Sequence, residues 1–180
     1  MSDAEVLARR ARKLATARLA DTTAAEAADS SRYLLATCGK ERFAVALTSV
    51  AEVYRPAGVT PLPRTTPPLY GLAAWRGRIL SISLIADTQP RPGAGLIAVL
   101  AVGEAVFGGV WVEQVEGEIT FAESEIHDTE DLRGGREAYL SGVTGDAVLV
   151  LDAIKLKAVL ERERPVGVAS DERNSTRGTG

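Results

Sequence analysis

Apolar residues fall in short alternating blocks along most of this chain, and Gly, Pro or charged residues cut the blocks apart. YLLATCG and FAVALTSVAEVY flank the turn KER, which predicts a hairpin from Tyr33 to Tyr54. Pro56 and Gly58 mark a turn. VTPLPRTTPPLY, residues 59–70, holds four prolines and so reads as extended or irregular rather than as a central strand. GLAAWRGRILSISLI, residues 71–85, supplies a strand after Gly77. DTQPRPGAG, residues 87–95, is a second break. LIAVLAVG and VFGGVWVEQV then flank Glu104 and Ala105 as another tight hairpin, and EGEITF continues as strand. Residues 123–137 read as a loop or short helix, and AYLSGVTGDAVLVLDAIKL as two strands around a Gly-Asp turn.

The ends differ from this middle. Ser2 and Glu5 have capping-box spacing, and Leu7, Ala11 and Leu14 recur on one face, so residues 2–20 predict a helix. Its other faces carry Arg9, Arg10, Arg12 and Lys13. It either packs on its own domain or serves as a partner-binding arm. Residues 1–31 thus form a helix and polar linker, 32–160 a folded domain, and 161–180 a tail whose composition predicts disorder. Many short strands with Gly and Pro turns make the domain all-β, a barrel or sandwich. The break at 87–95 suggests two sub-barrels of about five strands each.

Composition narrows the function more than it names it. The 180 residues carry a formal charge of −3, which is no footprint for nucleic acid. No apolar run reaches the ~20 residues of a membrane span, and the N-terminus lacks a signal peptide's apolar core. The expectation is a cytoplasmic protein that does not insert into membranes. Cys38 and His127 are the only residues of their types, so a zinc site and an internal disulfide are not expected. A Cys38–His127 pair, or a hydrolase using Glu125 or Asp128 with His127, is formally open. The simpler reading is a buried thiol and a solvated imidazole. There is no GxGxxG, phosphate loop or GxSxG elbow. The expectation is therefore no enzyme and no cofactor. Between Glu113 and Asp131 stand eight acidic residues and no Lys or Arg, either a face for a basic partner or a charged strand edge.

Trp75, Arg76, Gly77 and Arg78 precede an apolar strand, although arginine is rarely buried unpaired. Arg76 either bonds internally, to Glu52 or a loop carbonyl, or reaches a partner. Trp75 either fills a barrel end or widens a binding surface.

Four segments together resemble the CheW-like domain, the adaptor that couples chemoreceptors to the CheA histidine kinase. They are FAVALTSVAEVY, VTPLPRTTPPLYGLAAWRGRILSISLI, GVWVEQV and YLSGVTGDAVLVLD, in the family's order over about residues 32–160. The match is imperfect. Ala74 and Trp75 stand where the family has Asn-Leu before Arg-Gly, and Glu113 where it has Asp. The resemblance implies two SH3-like β sub-barrels without a catalytic site. One binds the regulatory domain of CheA, and the receptor's cytoplasmic tip packs between them. It maps partner binding onto Val50, Glu52, Gly71, Arg76, Gly77 and Gly109, with Trp75 extending that surface. An adaptor of the same fold serving motility or development, and an SH3-like module for proline-rich peptides, are the alternatives. The latter needs an exposed aromatic groove, and the chain has nine aromatics to build one.

Overall fold

Phe43, Ala44 and Val45 are consecutive and all buried, so the strand that carries them is covered on both faces. In a computed structural model, which describes residues 30–86, 90–91, 93–128 and 135–163, those faces belong to different cores. Phe43 and Val45 join a large core with Leu80, Ile82, Trp111 and Leu151. Ala44 joins a smaller one with Tyr33, Leu35, Phe121, Val148 and Val150. The strand is β2 (Glu41–Ala46), and its hairpin partner is β1 (Ser30–Cys38). The other neighbour of β1 is β9 (Gln114–Ala122), which carries one extra residue, Glu116, opposite the step from Leu35 to Ala36. By alternation along β1, Tyr33 and Leu35 face the small core, while Leu34, Ala36 and Cys38 face the large one. In the small core the rings of Tyr33 and Phe121 stack with centroids 4.0 Å apart.

The other strands are β3 (Val50–Tyr54), β4 (Thr60–Pro61), β5 (Leu69–Trp75), β6 (Arg78–Ser83), β7 (Leu96–Val102), β8 (Ala105–Val112), β10 (Ile126–His127), β11 (Leu140–Thr144) and β12 (Val148–Leu151). They make two six-stranded sheets, β10-β11-β12-β2-β1-β9 and β3-β7-β8-β6-β5-β4. The architecture is mostly β, as expected, with six strands per sheet in place of five.

The division between the sheets is not at 87–95, which lies between β6 and β7 of the second sheet. The chain leaves the first sheet through the 3-10 turn Leu47–Ser49 and returns to it at Glu113. FAVALTSVAEVY is therefore two strands in two sheets rather than one. Each sheet contains one parallel pair, β12 beside β2 and β6 beside β8.

A helix, α1 (Ala153–Glu163), replaces the expected strand continuation after Leu151. Asp152 caps it, its Oδ1 accepting the N–H groups of Ile154 and Lys155 at 2.8 and 2.9 Å. Ala153, Leu156 and Leu160 are buried, one stripe of a 3.6-residue repeat. Leu156 and Leu160 belong to the large core, so the helix closes that core. The expected N-terminal helix at 2–20 and the tail from 164 onward lie outside the described residues, and residues 161–163 continue α1.

This packing predicts that Leu156→Ala lowers unfolding stability by about 2–5 kcal/mol in chemical denaturation. Glu161→Ala, on the exposed side of the same helix, stays within about 0.5 kcal/mol of the parent.

Candidate partner-binding site

Strands β5 and β6 are joined by two residues, with Trp75 paired to Arg78 across the turn. Arg76 and Gly77 have φ of +47° and +74°. Positive φ at both central positions is what the two-residue type I′ hairpin turn requires, and Asn-Gly usually supplies it. Gly77 meets this without strain. An L-residue with a long side chain does not, and Arg76 gives up roughly 1 kcal/mol to stand there.

The arginine side chain is braced where it stands. Its Nη2 lies 2.9 Å from Glu52 Oε2. Trp75 Nε1 donates to the same oxygen, also at 2.9 Å. The guanidinium sits over the Trp75 ring, 5.3 Å from its centroid. Glu52 thus gathers two donors from a hairpin 23 residues away. The Arg76 side chain is still 69% exposed, which leaves the outer edge of its guanidinium open to solvent. An ion pair this wet contributes little to folding, about 0–1 kcal/mol.

Tyr54 completes the contact between β3 and β5. Its hydroxyl donates to the Ala74 carbonyl at 3.0 Å. Burial, and then the charge of Glu52, pushes the Tyr54 phenol up from its ordinary value, so it stays a donor. On the opposite face of the same hairpin Ile79 is 68% exposed, one of two large apolar side chains so exposed among the described residues. Ile79 is paired with Ala74, which is itself exposed.

Of the residues singled out in the sequence, Glu52, Trp75, Arg76 and Gly77 come together here. The Trp75 ring packs against the large core, as the reading that it fills a barrel end expects, while its N–H and one face hold Glu52 and Arg76. Val50 lies on the same edge strand but leans half-buried on the core. Gly71 and Gly109 present nothing to a partner. Both are buried, and a Cβ on Gly71 would strike the Thr60 carbonyl oxygen. A Cβ on Gly109 would lie 2.6 Å from Ile97 Cγ2. They are glycines because strands pass close, not because a ligand does. Tyr54 and Ile79 were not singled out. The two-residue offset of Tyr54 from Glu52 is the one signal the sequence held for it.

The remaining candidates are scattered. Cys38 is buried in the large core, and its thiol is pushed up to about 12, by burial first and the Glu113 charge second. His127 is exposed on the edge strand β10. Glu125 accepts the Ala122 N–H at 2.7 Å. The acidic stretch is largely occupied at home. Glu116 pairs with Arg42 at 3.1 Å, Glu118 pairs with Arg32, and Glu113 accepts the Gly39 N–H at 3.0 Å. The Arg32 hydrogen bond holds the Glu118 carboxyl below its ordinary value. All nine aromatic side chains are buried or half-buried, so they form no exposed aromatic groove.

Comparison with known proteins agrees with this geometry. The model for the CheW-like domain matches residues 32–161. The scaffolding protein TtCheW from Thermoanaerobacter tengcongensis has a similar fold, with a TM-score of 0.55 and 16% sequence identity. The match covers 68% of this chain and 88% of that one. No curated protein matches.

If Gly109 is a packing glycine, Gly109→Ala costs about 1–3 kcal/mol of stability by overpacking β8 against Ile97. Denaturant unfolding of that variant checks the assignment.

Proposed function

The chain belongs to the CheW-like domain family, and we propose that it is a non-enzymatic adaptor linking a chemoreceptor's cytoplasmic tip to the regulatory domain of a CheA-type histidine kinase. The observation that carries this reading is Arg76. It occupies a turn position that disfavours it, and Glu52 and Trp75 hold it there with its outer edge in solvent. Backbone strain retained at an exposed, braced cation points to a task outside the fold. Trp and Arg are the residue types most enriched at binding hot spots.

On this reading Glu52, Trp75 and Arg76 form a preorganised contact. The bonds to Glu52 and the stack on Trp75 fix the guanidinium before a partner arrives, which lowers the ordering cost of association. Val50 and Gly77 act beneath it, one seating the edge strand and the other allowing the turn. The open edge of Arg76 meets an acceptor on the partner. The protein needs no cofactor, because its work is to hold two proteins together. Each contact can be modest, since linked binding gains from effective concentration. Receptor state then reaches the kinase as a coupling free energy between the two contacts. This role places the protein on the cytoplasmic side of the membrane, at receptor arrays. No described helix is long and apolar enough to cross it.

Binding of the purified chain to the kinase regulatory domain, and separately to a receptor tip, tests the reading. Wild type is expected to bind both. Arg76→Glu should weaken one of them by about 2 kcal/mol, roughly 30-fold. His127→Ala should change neither. A folded wild type that binds neither partner overturns the proposal.

A further inference from the structure

The second exposed apolar side chain, Ile154, is 68% exposed at the start of α1, in the part of the fold that carries the first sheet. It rims an open groove of about 570 Å³ at one end of that sheet. Tyr33, Ile126 and Val150 form apolar parts of its wall. Among the described residues the charged members of the lining are Glu123 and Asp152, with no Lys or Arg. The groove thus presents a mixed wall, apolar patches set among serines, with two carboxylates.

The chain enters the fold at this place. Ser30, the first described residue, pairs with Ala122, the neighbour of Glu123. Ser31 itself lines the groove. Residues 1–29 therefore start out from its rim. Their sequence complements it, since residues 9–18 contain five basic residues and no acidic one. Leu7, Ala11 and Leu14 recur at helical spacing beside them. The linker at 21–29 spans at most about 30 Å when extended, enough to turn back over the groove.

We propose that residues 2–20 dock in this groove as an amphipathic helix of the same molecule. Leu7 and Leu14 lie toward Ile154 and Ile126, and the basic side chains face Glu123 and Asp152. The short tether supplies a high local concentration, so a weak site suffices. The docked arm covers Ile154. The charge contribution is screened as salt shortens the Debye length.

A nitroxide placed on the full-length chain through Arg10→Cys tests this. Buried Cys38, whose thiol titrates near 12, does not compete for the label. In an amide spectrum, Ile126, Asp152 and Ile154 are expected to lose most of their intensity. Gly39, at the far end of β1 and about 30 Å from Ser30 by strand rise, is expected to keep it. The loss should vanish when Leu7→Ser and Leu14→Ser are added, changes that leave the described fold untouched. Broadening confined to the residues that follow Ser30 overturns the proposal. So does broadening that appears only when label and isotope sit on different molecules, which means that a second copy fills the groove.

Discussion

Strands β3 and β5 share no backbone ladder, and three strands separate them in the order of the second sheet. Side chains nevertheless join them, Glu52 to Trp75 and Tyr54 to the Ala74 carbonyl. The second sheet curls far enough for these bonds to form, and they tie its edge strand to the β5–β6 hairpin. Everything at the candidate site follows from that closure. It fixes the Glu52 carboxylate, the carboxylate fixes the indole, and the two together fix Arg76. The arginine rests on the closure without making it, because its own ion pair is wet and its backbone is strained.

The rest of the molecule keeps that sheet in place. Strands β1, β2 and β12 are buried on both faces, one face in each core. The large core is shared by both sheets and α1, so the sheets cannot separate without exposing Phe43, Trp111 and Leu156. The chain crosses between sheets twice, and the first sheet draws strands from both ends of the domain. The hairpin that carries Arg76 is therefore mounted on a rigid base, as a contact with preset geometry requires.

Most strands, the first hairpin and the family were readable in the sequence because alternation and turn residues are local signals, although that hairpin turns at Gly39–Lys40, with Glu41 and Arg42 of KER already in β2. Three features were not. The cut between β2 and β3 falls in Leu47–Ser49, which holds neither Gly nor Pro, so one apolar run concealed a change of sheet. Helix α1 follows VLVL with only Asp152 between, and the apolar run again masked the boundary. The Asp cap and the spacing of Ala153, Leu156 and Leu160 were present but short. Gly71 and Gly109 looked like site residues because they stand in family motifs, whereas tertiary crowding explains them. At the site, Arg76 and Glu52 were legible as a possible pair. Trp75 was singled out too, but its hydrogen bond to Glu52 was not anticipated, because nothing in the strand pattern says which way an indole N–H points.

The most direct test of the account is Arg76→Gly, measured for unfolding stability and partner affinity on the same preparation. Glycine relieves the positive φ while its added freedom in the unfolded chain opposes that gain, so stability should stay within about 1 kcal/mol of wild type. Affinity for one partner should fall at least tenfold, about 1.4 kcal/mol. A variant that unfolds more easily yet binds both partners as before would show that Arg76 serves the fold, and would contradict the account.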